Sequence, residues 1–116
     1  MAIDFDAGLI CCNGKMSLLK KLLRKFSAKY HSIEVEIMGA INQQNWQEAV
    51  SIIHNLKGVS ANVGAVQLSN ICQQFLEQIE DDWQTNPPDT SNLPVTALCE
   101  AIYQVIMFIE NMPEDQ

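Results

Sequence analysis

Positive charge is scarce in this chain, and nearly all of it sits in one place. Of seven Lys and Arg residues, six lie between positions 15 and 29: Lys15, Lys20, Lys21, Arg24, Lys25 and Lys29. From Tyr30 onward Lys57 stands alone among twelve acidic residues, and the formal net charge is −7. That balance argues against the general grip on DNA or RNA, which depends on a basic surface displacing counterions. The basic stretch reads as the solvated face of a helix. Leu18, Leu19, Leu22, Leu23 and Phe26 share the segment, as they would in a helix lying on a membrane, but the acidity of the rest opposes that reading.

Other absences narrow the field further. No apolar run approaches the ~18–20 residues needed to span a bilayer. The opening MAIDFDAGLICC carries two aspartates where a signal peptide has its positive region. No G-x-x-x-x-G-K-[ST] loop, G-x-G-x-x-G turn or kinase motif set is present, so no means of binding ATP is visible. The two histidines, His31 and His54, are too few to form a metal site with the cysteines, and no metal or other cofactor is expected. Cys11, Cys12, Cys72 and Cys99 do not have the spacing of a disulfide framework. Cys72 and Cys99 read as small core hydrophobes, the adjacent Cys11-Cys12 has a redox pair as its alternative, and a cytoplasmic setting is expected.

What is present is enough apolar sequence for a core. Hydrophobic residues make up 47% of 116 residues, which predicts one domain over 1–116 that hides roughly two-thirds of its unfolded surface. Glycine and proline are sparse, and the one cluster of turn residues, Gln84–Asn92, is read as a loop. Elsewhere the apolar residues recur at helical spacing. Val95, Leu98, Ile102, Val105, Ile109 and Met112 form one seam, with Pro94 in the first turn, Ser91 or Asn92 as cap and Pro113 as stop. Leu68, Ile71, Cys72, Phe75, Leu76, Ile79 and Trp83 form another. Asn45-Trp46-Gln47-Glu48 has the form of a capping box, with Glu48 reaching back to the Asn45 N–H. The helix it opens places Trp46, Ala49, Val50, Ile53 and Leu56 on one side and ends near Gly64.

Upstream, Leu19, Leu22, Leu23, Phe26 and Tyr30 make a stripe opposite the basic residues. Ile33, Val35 and Ile37 alternate as a strand would, yet Ile33, Ile37 and Ile41 also fit a helix, and a lone strand would lack a partner. Residues 4–12 are read as a short extra helix. The fold expected is all-α: an antiparallel four-helix bundle of 32–43, 45–63, 65–83 and 93–112, with short N-terminal helices packed across it.

His54 is the unusual side chain. With Ile53 at the centre of its helix's apolar face, His54 falls at the edge, near Gln47, Ser51, Gly58 and Ala61. Gly58, one turn on, costs about 1 kcal/mol relative to alanine and leaves the backbone bare for another surface to approach. Lys57 is three positions from His54, hence its neighbour, and would attract the oxygens of a phosphoryl group held on the imidazole. The plain alternative is a surface histidine beside a lysine on a polar helix edge. His31, likewise, reads as surface or packing, and Trp46 and Trp83 as core anchors.

The run His54-Asn-Leu-Lys-Gly-Val-Ser-Ala-Asn-Val-Gly-Ala65 resembles the core motif of the histidine phosphotransfer (HPt) domain, H-x-L-K-G-x-x-x-x-x-G-A. Asp4-Phe-Asp-Ala-Gly-Leu9 looks like that family's opening helix, Gly14–Leu19 like the following turn and helix, and Asn45-Trp46 like its entry into the motif helix. The resemblance implies a phosphorelay carrier that takes a phosphoryl group from one receiver domain's aspartyl phosphate and passes it to another receiver's aspartate. His54 then matches the phosphoacceptor, Lys57 the lysine supporting the phosphate and Gly58 the glycine that lets the receiver dock. Mg²⁺ is expected on the partner receiver. Gln47, Ser51, Ala61 and Gln73 are the remaining docking residues expected around His54. Several family members hold the second ring nitrogen with a polar residue on the next helix; that position is Leu76 here, so Gln73, a backbone group or water takes the role.

Three readings compete. The first is the carrier, as a free-standing monomer or a module of a hybrid sensor histidine kinase. The second is a non-phosphorylated helical module that binds a receiver or sensor kinase. The third, the phosphoacceptor part of a histidine kinase, is set aside because Asn55-Leu-Lys-Gly follows the histidine and no ATP-binding portion is seen.

Overall fold

A computed structural model describes residues 2–83 and 94–112, without the side chains of residues 80–83. The described residues form six helices: α1 (Phe5–Cys11), α2 (Met16–Tyr30), α3 (Ile33–Asn42), α4 (Trp46–Asn62), α5 (Val66–Trp83) and α6 (Val95–Glu110). The ambiguous segment is helical. Ile33 and Ile37 are buried while Val35, between them, is 73% exposed, so the 3.6-residue period wins over the alternation.

One apolar core gathers the seams expected from periodicity. Leu19, Leu23, Phe26 and Tyr30 of α2 meet Ile53 and Leu56 of α4, Leu68, Phe75 and Ile79 of α5, and Leu98, Val105 and Ile109 of α6. Each fully buried Leu, Ile or Phe contributes about 1.5–3 kcal/mol. The cysteines divide: Cys12 and Cys72 are buried, Cys99 is half-buried and Cys11 is exposed, all four free. Cys12 is therefore a core residue turned away from its neighbour.

The helix arrangement differs from the expected one in the role of α2. α4 and α5 share the most extensive contact, α5 also packs on α6, α3 on α4, and α2 on α6. α3 does not fold back on α2; it carries the chain onward past His31, whose backbone stays helical (φ −52°, ψ −37°). α2 and α3 together thus make one wall, with α2 against α6 and α3 against α4, rather than α2 lying across a bundle built without it. The molecule is correspondingly long, 52 × 23 × 20 Å.

Local details follow the sequence with two amendments. The Asn45 side chain accepts from the Glu48 N–H at 3.3 Å, as a cap should. Glu48 returns the contact to the Asn45 side-chain amide at 3.0 Å, because the Asn45 backbone N–H is taken by the Ala40 carbonyl at 2.8 Å. Pro94 is the cap residue of α6 and not its first-turn residue. Ser91, Asn92, Pro113 and the Trp83 side chain, with their expected roles, lie outside the described residues. Asp4 caps α1 by accepting from the Ala7 N–H at 3.1 Å.

Candidate functional site

α4 is placed by its buried side. Ala49, Ile53, Leu56 and Ser60 face the core, and Trp46 and Val50 pack half-buried at its edge. That leaves the opposite side to solvent at a helical spacing, and Gln47, Ser51, His54, Gly58 and Ala61 are all exposed there. The expected docking residues on α4 therefore share one outward stripe centred on His54. No hydrogen bond or ion pair to another described residue holds the His54 ring. The larger surface cavities, of about 580, 650 and 730 Å³, are lined by α1, α2, α3, α5 and α6 and its flanks, and none reaches His54. The histidine is presented on an open surface, suited to meeting another macromolecule.

Gly58 is bare in the sense that matters for such a meeting. A Cβ built there would meet nothing within 4 Å, so nothing in the chain's own packing asks for glycine. Gly64, at the other end of the motif, is the opposite case. Its φ of +84° is a left-handed turn that ends α4, and a Cβ would collide with the Asp4 carbonyl oxygen. The Asp4 N–H donates to the Gly64 carbonyl at 2.7 Å, so the last glycine of the motif is where α1 docks.

Lys57 leans toward α5. It is half-buried, and its ammonium acts on the Cys72 thiol. Burial pushes that thiol up from 9.0 to about 12 against the opposing pull of Lys57, so Cys72 stays neutral and leaves the cation uncompensated. The Ser69 hydroxyl donates to the Lys57 carbonyl at 3.2 Å, pinning α5 to the turn of α4 that carries Lys57 and Gly58. The sequence marks Cys72 as a core residue, which the structure bears out, but does not single out Ser69. Its bond to the Lys57 carbonyl joins two helices and depends on how they meet, which the spacing along α5 does not encode.

Gln73 is half-buried on α5, but its side-chain amide donates along its own helix to Glu77 at 2.8 Å and not to the His54 ring. Leu76 is buried, as its place in the stripe required. His31 is exposed and lies 3.6 Å from Glu110. Among the described residues no group of His, Cys, Asp and Glu is arranged to hold a metal ion. No described helix is long and apolar enough to cross a membrane.

A family model for the Hpt domain matches residues 18–107. The chain belongs to the Hpt domain family. The match runs from α2 to most of α6 and includes the whole of α4, while α1 lies before it. Hpt domains are phosphoryl carriers of phosphorelays, working with receiver domains and kinases, and the all-helical bundle agrees with that membership. No curated protein and no solved structure matches this Hpt chain.

Proposed function

We propose that this Hpt domain accepts a phosphoryl group on His54 from a receiver domain's aspartyl phosphate and passes it to the aspartate of another receiver. The observation that carries the reading is the pairing of an exposed, unengaged His54 in mid-helix with a glycine one turn on that the chain's own packing does not require. An imidazole nitrogen attacks phosphorus in line with the aspartyl oxygen; the N–P bond forms as the P–O bond breaks and the aspartate leaves as carboxylate. The Hpt side supplies a positioned nucleophile and one cation, Lys57, whose charge draws the phosphoryl oxygens. Gly58 gives the receiver room to bring its acyl phosphate within reach, and Gln47, Ser51, Ala61 and Gln73 border the contact. Mg²⁺ belongs to the receiver, which works in the cytoplasm. A hybrid sensor histidine kinase is a fitting upstream source.

The test is neutral-pH intact mass spectrometry after mixing the protein with Mg²⁺ and a panel of phosphorylated receiver domains. One acid-labile phosphoryl group should appear, survive in His31→Gln and vanish in His54→Gln. Binding to receivers without transfer to the wild-type chain would favour the non-phosphorylated interaction module instead.

A further inference from the structure

Charge is placed unevenly over the helices. Lys21, Lys25 and Lys29 on α2, Glu34 and Glu36 on α3, and Glu100 and Glu110 on α6 are all exposed. The side of α4 that presents His54 carries almost none. Its exposed residues there are Gln47, Ser51, Asn55, Gly58, Ala61 and Asn62, amides and small groups throughout. The Ser69 hydroxyl reaches the Lys57 carbonyl, and half-buried Gln73, one turn further along α5, continues the same uncharged surface.

The charged groups bordering this surface stand aside from it. Lys57 is half-buried beside Cys72 and is assigned to the phosphoryl oxygens. Glu48 falls about 120° around α4 from His54 and accepts from the Asn45 side-chain amide at 3.0 Å. Glu77 accepts from the Gln73 side-chain amide at 2.8 Å. Asp4 and Asp6 border a cavity with Val66, Gln67 and Asn70 at the start of α5, past the far end of α4. We propose that the receivers this domain serves meet it through an uncharged docking face, read by the side-chain amides of Gln47, Asn55 and Gln73 around the bare backbone of Gly58. The inference deepens the carrier role of His54 and rests on it.

A charge on the receiver pressed against this surface would lose its water without gaining an opposite charge, a cost that a neutral polar group or a methyl does not carry. A basic docking face finds no carboxylate in the stripe. An acidic one finds Lys57 alone, whose cation the phosphoryl oxygens take up. Receivers of either kind are thus selected against by what the surface lacks. An amide both donates and accepts, so a receiver with the matching neutral groups pairs with it, and one without them leaves a buried amide unpaired. The domain's net charge of −7 has little say in this, because charges on the other helices are screened over about 8 Å at physiological ionic strength. Encounter is therefore unsteered, with association in the range of about 10⁵–10⁶ M⁻¹s⁻¹.

The test is calorimetric binding of the full chain to a panel of purified, unphosphorylated receiver domains with Mg²⁺, at 50 and 500 mM NaCl, with transfer from the phosphorylated forms followed alongside. For the receivers that bind, Kd should change by less than about threefold between the two salt concentrations, where docking of opposite charges loses about tenfold or more. Gln47→Glu and Gln47→Lys form the decisive pair, since the first keeps the size and shape of the side chain and the two carry opposite signs. Both should weaken binding by about tenfold, with circular dichroism showing each variant folded. Tighter binding in either variant, no change in both, or a Kd that climbs tenfold with salt overturns the proposal, and His54-dependent transfer in the same samples would leave the carrier role standing. Salt-indifferent binding without transfer would do the reverse, keeping the uncharged docking face and removing the carrier. A chain that binds none of the receivers removes both.

Discussion

Two uncrowded glycines, Gly39 in α3 and Gly58 in α4, separate helix propensity from function at the scale of single residues. A Cβ at either would meet nothing within 4 Å. Replacing either by alanine should stabilise the fold by up to about 1 kcal/mol, read from urea unfolding. Only Gly58→Ala should also slow phosphoryl transfer from receivers, about tenfold, because its methyl group stands where the partner must approach. Equal transfer rates in the two variants would remove Gly58 from the site. Cys72 makes a different kind of prediction. Its folded pKa is raised from 9.0 to about 12, so the stability it contributes is complete below pH 9 and is lost as pH rises from there toward 12. Each pH unit in that window costs the folded state up to about 1.4 kcal/mol from this one group. The drop in stability between pH 8 and pH 10 should be about 1 kcal/mol smaller in Cys72→Ala than in the parent.

At the scale of helices, Gly64 carries the most. Its left-handed backbone ends α4, and its carbonyl receives the start of α1. Gly64→Ala adds both a strained φ and a clash with the Asp4 carbonyl, and should cost about 3 kcal/mol or more in urea unfolding. Loss of under 1 kcal/mol would mean that α1 is not held there. Periodicity made each helix legible because a buried stripe repeats every 3.6 residues whatever it packs against. Ile33, Ile37, Ile53 and Leu98 could be placed facing the core without knowing their neighbours. What periodicity does not encode is the neighbour. Nothing in the spacing of Leu19, Leu23, Phe26 and Tyr30 said that α2 would pack along α6 and continue into α3. The stripe of Gln47, Ser51, His54, Gly58 and Ala61 was legible for the same reason as the core: it is the complement of a buried face on one helix. Ser69 and the turn of Gln73 toward Glu77 were not, since each depends on the register between α4 and α5 or on a rotamer. The Asn45 cap was legible to the residue, but the Ala40 carbonyl that takes its N–H belongs to the way α3 ends, with Gln44 in the left-handed region at φ +57°.

Across the whole molecule, the helix that bears the phosphoacceptor stands apart from α6. His54 is on α4, and the outward stripe of Tyr103 and Met107 is on α6, which packs on α2 and α5. Substitutions on the outward side of α6 are therefore remote from the phosphoacceptor. Met107→Glu should transfer phosphoryl groups at a rate within about twofold of the parent, followed by intact mass over time. A loss of about tenfold or more would tie α6 to the site.

The bond from Asp4 to Gly64 also has a mechanical meaning. Ile3 is fully buried and the next residue is clamped to the turn that closes α4. Tension on a tether attached ahead of Ile3 would be delivered to the end of the very helix that bears the phosphoacceptor, ten residues beyond His54. A pull at the start of the chain and the fraying of the last turn of α4 are, along this load path, a single event.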